Sequence, residues 1–432
     1  MLERKTVLPL MATETGMIMA TEENLNPHLA RFQYFLTRSA LVARRYVEAE
    51  GVDTPLSDTA RERAQNVLSY ALKRAEAWLA TRDLLLAMAP KMAIAGYRTE
   101  WLSYLEDGVA QSQRLGDRAT EAALQFQCGY LYRLISNYAQ AQTFLRASTT
   151  HFAALGDTEG QARALNQLAY LAWQQHRYEE AEDFAHEALK NVDDMSLEKA
   201  VSLSALGLVA NDRGHYTEAE NYHHAALVIR TSHGAHKEMA RSLQNIGLAL
   251  SEQRKHAQAI DYYQQALTLL ESTYDPAHRA IILMNLSTAY YVQGENAQAL
   301  ETILVAEQIF HQLSDQFNLA KLLTIKGLCY LARQQPTLAA PTFRASADLF
   351  WRLGDLSWYL NAYDGLGISY LEQAQYDEAY TIFRTIADQL PQIAGTPAHK
   401  YLAATITTQL EQATSKQVVQ GKSVYFSTKK PA

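Results

Sequence analysis

The stretch RYEEAEDFAHEAL, Arg177 to Leu189, reads as an amphipathic helix, and the chain goes on to write it again. HYTEAENYHHAAL begins at His215, HAQAIDYYQQAL at His256 and QYDEAYTIFRTIA at Gln375. Aligned on the alanine they share, the series runs Ala141, Ala181, Ala219, Ala259, Ala299, Ala339 and Ala379, with a step of 40 residues and one of 38 into Ala219. Twelve residues before each stands a small residue: Gly129, Ala169, Gly207, Gly247, Ser287, Gly327 and Gly367. An aromatic often precedes the alanine by three, as Tyr138, Tyr178, Tyr216 and Tyr376 do. LGD at Leu115, Leu155 and Leu353 and LSD at Leu313 keep the same beat. Self-similarity at a fixed period of this size is the mark of a stacked array.

Each unit reads as two helices. Leu243, Ile246, Gly247 and Leu250 fall on one side of a helix, a spacing that strands do not show. A turn at Arg254-Lys255 leads into AQAIDYYQQALTLL. Packed helix axes lie about 8–10 Å apart, and only Gly, Ala or Ser on both sides of a crossing permits the shorter distance. A leucine there would overpack, at a cost of about 1–3 kcal/mol. The alanine is expected to stay fixed because two backbones meet over it.

The small residue, the aromatic, the alanine and a second alanine seven residues on (Ala188, Ala226, Ala266, Ala306) resemble the tetratricopeptide repeat over about residues 98–390. The 40-residue beat resembles the longer repeats of kinesin light chains and of bacterial signalling proteins. His256, Asn296 and Pro336 replace the aromatic, and Ile386 replaces the second alanine. Pro341 removes one backbone donor, so its helix is expected to start late or bend. The expected fold is all-α, a right-handed α-solenoid superhelix of about seven to eight helix-turn-helix units.

The ends depart from the pattern. Residues 1–27 read as a flexible leader and 28–97 as an N-terminal helical segment with a degenerate capping repeat, Trp101 standing where an anchor alanine would fall. Residues 397–414 read as a C-terminal capping helix and 415–432 as a flexible tail. HLARFQYFL, the cadence from Ala71 to Ala80 and EWLSYLEDGVAQSQRLGD resemble the arm that follows the nucleotide-binding part of STAND-type signalling ATPases. That resemblance implies an ATPase or effector partner.

Chemistry is not evident in the pattern. Apolar residues are 48% of the 432, charged residues 20%, and the formal charge is −7, which argues against a nucleic-acid binder. No run of 18 apolar residues occurs, so no membrane span is read. Cys128 and Cys329 suggest reduced packing thiols in a cytoplasmic protein. QGKS at Gln420 lacks the glycine a phosphate-binding loop needs, Lys416 being there instead. HEALK at His186 ends in Lys190 where a zinc helix needs histidine, and His223-His224 and His233/His236 read as surface histidines. The basic pairs Arg44-Arg45 and Arg61/Arg63 read as a solvated helix face. No metal, cofactor or catalytic residue is expected, and the chain reads as non-enzymatic.

The resemblance implies that first helices line a concave groove that binds extended or helical peptides. With the small residue numbered 8, positions 4, 7, 8 and 11 share one side of the helix, and 2, 5, 6, 9, 12 and 13 the other, at about 100° per residue. Position 2 supplies Arg163, Arg241 and Lys321, position 5 Asn166 and Gln244, and position 6 Gln127, Gln167, Asn245 and Asn285. Phe126, Tyr130, Tyr170, Trp173 and Tyr291 add aromatic anchors. Amides suit a peptide backbone and the cations suit an acidic segment. Leu331, Ile368 and Leu371 turn the C-terminal end apolar, where the tail is expected to cover it. The leading reading is a protein- or peptide-binding scaffold or sensor arm. The alternative resembles peptide-gated Rap-like regulators, whose superhelix would change compaction on binding and act on a partner protein.

Overall fold

The computed structural model describes residues 27–51, 56–95, 98–190, 192–273 and 275–427, and every regular element among them is helical. The leader expected over residues 1–27 lies, up to residue 26, outside the described residues. The chain divides into two compact units, residues 1–192 and 193–432. The first holds α1 (Pro27–Ala49), α2 (Asp58–Ala71), α3 (Trp78–Ala95), α4 (Arg98–Leu115), α5 (Arg118–Leu134), α6 (Tyr138–Leu155), α7 (Thr158–Gln174) and α8 (Tyr178–Leu189). The second runs through α9 (Leu197–Asp212), α10 (Tyr216–Ser232), α11 (His236–Glu252), α12 (His256–Leu270) and α13 (Pro276–Gln293). It continues with α14 (Asn296–Gln312), α15 (Gln316–Ala332), α16 (Pro336–Leu353), α17 (Leu356–Glu372), α18 (Tyr376–Gln389) and α19 (Pro397–Ser427).

The linker signature turns out to be two caps written side by side. In the LGD turns, Gly116, Gly156 and Gly354 sit in the left-handed region, where a residue without a Cβ ends a helix at no steric cost. The aspartate that follows starts the next helix. Asp117, Asp157, Asp315 and Asp355 each accept a hydrogen bond from the backbone N–H three residues on, at Thr120, Gly160, Asn318 and Trp358. The turn inside each unit is also left-handed, five residues before every anchor alanine: Ser136, His176, Gly214, Arg254, Gly294, Gln334 and Ala374. Only two of these seven are glycine, so the turn leaves little trace in the sequence. The closing hydrogen bonds, such as Asn137 N–H to the Tyr132 carbonyl at 2.9 Å, hold the other five in place.

Within each unit, consecutive helices pack on one another, and successive first helices also touch: α5 on α7 in the first unit, α9 on α11, and so on to α17 on α19 in the second. Each unit is therefore a stretch of α-solenoid in which first helices form one layer and second helices the other. All seven anchor alanines are fully buried. The glycines, however, do something more specific than let two backbones meet. A Cβ built on Gly129, Gly207, Gly247, Gly327 or Gly367 would fall 2.5–2.7 Å from the side chain 16 residues later: Leu145, His223, Tyr263, Phe343 and Phe383 respectively. Each glycine is a socket for one bulky side chain of the second helix. Where the first-helix residue is Ala169, the partner position is also small, Ala185, and both are buried. Volume is conserved across the pair, as close-packed interiors require.

This corrects the reading of His223 as a surface histidine. It occupies the site filled by Tyr263, Phe343 and Phe383 in other repeats and is 1% exposed. Of the two outcomes expected for Pro341, the late start does not occur: α16 starts at Pro336, in register with the other second helices, and runs through Pro341 to Leu353. The lost donor lies one turn in, where its absence leaves a single carbonyl unbonded. At the C-terminus, α19 continues past residue 414 to Ser427, and Gln417 ties it to α18 by donating to Asp377 Oδ1 at 2.7 Å. Gln420 and Ser423 thus lie inside a helix, not in a phosphate-binding loop.

Candidate functional site

Burial separates the layer faces cleanly. Along a first helix such as α7, positions 1, 3, 4, 5, 7, 8, 10 and 11 are buried, and positions 2 and 13 are exposed with 6, 9 and 12 half-buried. Positions 2, 6, 9, 12 and 13 form the open face of α7, whereas position 5 does not belong to it. Asn166 is fully buried there, as is Asp364, and Gln244 is half-covered, its Oε1 engaged by His278 Nε2 of α13. For Gln244 and Asp364 the covering partner is on the following first helix, His278 of α13 and Gln409 of α19.

In the first unit, the open face of α5 and α7 gathers aromatics, amides and arginines. Phe126 and Tyr130 stack with centroids 6.4 Å apart. The Arg163 guanidinium lies 6.0 Å from the Phe126 centroid. Arg133, at position 12 of α5, lies 5.6 Å from the Tyr130 ring and 5.7 Å from the Tyr170 ring, a double cation–π arrangement. Its Nε donates to Gln167 Oε1 at 3.2 Å and its Nη1 to Gln174 Oε1 at 3.1 Å. Burial lowers its pKa, and the surrounding phenols act the other way; a guanidinium stays charged through such a shift. Trp173 and Tyr170 are half-buried at the same end of α7. Arg133 is the residue the sequence reading missed. It holds position 12 of α5, on the expected groove face, where the sequence pattern offers aromatics such as Trp173 and Tyr291 in other repeats.

The second unit treats its cations differently. Arg241 Nη2 lies 3.6 Å from Asp275 Oδ2, the same aspartate that caps α13. The Lys321 ammonium sits 5.7 Å from the Phe317 ring and 5.2 Å from Trp358, and burial lowers its pKa, with Asp315 opposing. Both expected cations therefore already have partners within the second unit, on the following repeat in each case and for Lys321 also on its own helix. Asn245, Asn285 and Tyr291 are half-buried on the open face, and burial raises the Tyr291 phenol with Cys329 nearby. Toward the end, Leu331, Ile368 and Leu371 pack against a core that includes Leu402 and Ile406 of α19. The first half of α19 thus takes part in covering this end, and residues 428–432 of the expected tail lie outside the described residues. Cys128 and Cys329 are buried free thiols, both with raised pKa through burial. Among the described residues no cluster of His, Cys, Asp or Glu could hold a metal ion, and no helix is long and apolar enough to cross a membrane.

Residues 161–190 and 198–272 match family models of the tetratricopeptide repeat. These are tetratricopeptide repeats. No curated protein is significantly similar to the chain. Among solved structures it is similar to a signal-transduction ATPase with numerous domains and a tetratricopeptide repeat sensor from Pyrococcus horikoshii, at 12% identity and a TM-score of 0.59, covering 94% of this chain and 67% of that one. It is also similar to aspartyl phosphate phosphatase F from Bacillus subtilis, at 14% identity and a TM-score of 0.51, covering 87% and 96%. At such identities the likeness is one of fold. The buried alanine recurs from Ala141 to Ala379 at steps of 40 residues and one of 38, so the same helix-pair register runs beyond the matched residues.

Proposed function

We propose that the chain is a protein-binding scaffold or sensor arm that captures a peptide segment on the open first-helix face of its first unit. The observation that carries this is the cluster around Arg133. Two tyrosine rings and two glutamine amides are arranged about one arginine on a half-open surface. Tyr, Trp and Arg dominate the energetics of protein interfaces, and side-chain amides can both donate to and accept from a peptide backbone. Arg163 adds an exposed cation on the same face, suited to a segment with acidic character. The ring and amide cluster about Arg133 lies in the first unit, so recognition is assigned to that unit.

The test is a selection of binders from a displayed random peptide library, followed by anisotropy titration of the winners. Tyr170→Ala and Arg133→Ala are each expected to weaken them by about tenfold or more. Arg163→Glu should weaken acidic winners further, whereas Arg241→Glu should leave them unchanged. Winners that bind all four variants as tightly as the parent would sink the proposal.

A further inference from the structure

Helix α1 carries two apolar lines, and the fold uses one of them. Leu36, Ala40, Ala43 and Val47 are buried in the cores of the N-terminal helices. Phe32, Phe35, Val42 and Tyr46 form the other line and are 45%, 51%, 39% and 51% exposed. With Ser39 between them, these residues follow the alternating three- and four-residue steps of a coiled-coil seam. At about 100° per residue the seam lies roughly a quarter turn from the buried line. Large aromatics rarely stand in such a row on a surface that meets only water.

A row of charge runs beside the seam. Arg31, Arg38 and Arg45 stand seven residues apart, each one position before a seam residue, and all are exposed. Among the described residues none of the three pairs with a carboxylate. Arg31 lies over the Phe35 ring at 5.7 Å, and Arg38 donates to the Tyr34 hydroxyl at 3.1 Å. Their neighbour Arg44 shows the contrast, since it is held at 2.7 Å by both Glu48 of its own helix and Asp83 of α3. On the other flank α2 sends Arg63 over the Tyr46 ring at 4.2 Å. The seam is thus bounded by a helix on one side and a cationic rim on the other.

We propose that this face of α1 is a docking seam for an acidic amphipathic helix of a partner protein. From Phe32 to Tyr46 the seam spans about 21 Å, or two heptads, which is enough for interdigitated side chains along a partner helix. The arginines occupy the flanking positions that set partner choice in such pairings, so they select glutamate or aspartate on the incoming helix. A second copy of α1 would bring arginine rows together, which disfavours self-pairing. A bilayer would have to meet a berth walled on one flank by α2, a shape that suits a rod better than a sheet. This surface is separate from the α5–α7 face, so the two proposals stand or fall independently.

The experiment uses the full chain and a fluorescent synthetic helix of about 18 residues, with leucine at the seam positions and glutamate at the flanks. A twin peptide carries lysine at the flanks. The parent protein is expected to bind the glutamate peptide, more weakly as salt rises, and to ignore the lysine peptide. Arg31→Glu, Arg38→Glu and Arg45→Glu together should weaken the first by at least about tenfold and create binding to the second. Phe35→Ser alone should weaken the glutamate peptide without inverting preference, which keeps the test readable if the triple variant folds poorly by circular dichroism. Several results would overturn the proposal: equal binding of both peptides by the parent, glutamate-peptide binding untouched by the charge reversal, binding of phosphatidylserine vesicles in place of either peptide, or binding that appears only after removal of residues 1–26.

Discussion

Phe343→Ala should lower the unfolding free energy of the second unit by about 3–5 kcal/mol, measured by chemical denaturation. The ring is fully buried in the α15–α17 region, in α16. It rests in two glycine sockets at once: a Cβ on Gly327 would lie 2.7 Å from it and one on Gly365 only 2.4 Å. Removing the ring leaves both sockets empty, with no flanking side chain at either glycine able to relax into the space. The reverse substitution, Gly365→Val, should itself cost about 1–3 kcal/mol, because a ring with no free volume must move. Combined, the two should be less damaging than their sum, since valine refills part of the cavity. A cost under about 1 kcal/mol for Phe343→Ala would mean that the paired volumes do not hold the repeats together.

The second large effect is acid sensitivity. Burial depresses the His223 pKa to about 3, with Arg230 and His224 pushing the same way. His278 is likewise lowered, first by burial and then by Arg241, with Asp275 partly opposing. In both cases the unfolded chain binds a proton that the folded one refuses. Stability is therefore complete above the ordinary histidine range and is lost as pH falls through it toward the depressed folded values, by on the order of several kcal/mol in total. Asp364 acts with the opposite sign. Burial raises its pKa to about 6, with a hydrogen bond from Gln409 pulling back, so its share is lost as pH rises from about 4 to 6. One carboxyl offsets two histidines only in part. Denaturation midpoints should therefore fall between about pH 6.5 and 4, and His223→Leu, which copies the Leu145 socket pair at Gly129, should flatten the decline. A midpoint independent of pH in the parent would contradict the buried state of these rings.

The repeat was legible because its physics is written in small residues. Ala141 through Ala379 and the glycine, alanine or serine twelve residues earlier mark where helices cross, and at the five glycines an added Cβ would meet the side chain 16 residues on. The linker aspartates were visible as a signature before their role as caps was known. What could not be read is where neighbouring repeats meet. Asn166 and Asp364 look like groove residues on an isolated helical wheel, yet both are buried, Asp364 beside Gln409 of α19. His223 resembled a metal or surface histidine because nothing local says that Gly207 provides a socket 16 residues away. The left-handed turn residues Ser136, His176, Arg254, Gln334 and Ala374 carry no glycine signal, since hydrogen bonding and not side-chain freedom fixes them. Arg133 is hidden for a different reason: position 12 carries Trp173 and Tyr291 in other repeats, and only the packing of Tyr130 and Tyr170 shows a cation between rings.

Photocrosslinking gives the most direct test of where a partner sits. A benzoylphenylalanine placed at Gln127, half-buried on the open face of α5, should attach to a selected peptide, and one at Asp183, exposed on the second helix α8, should not. Crosslinks from Asp183 with none from Gln127 would put the binding surface on the wrong layer of the repeats and contradict the proposed function.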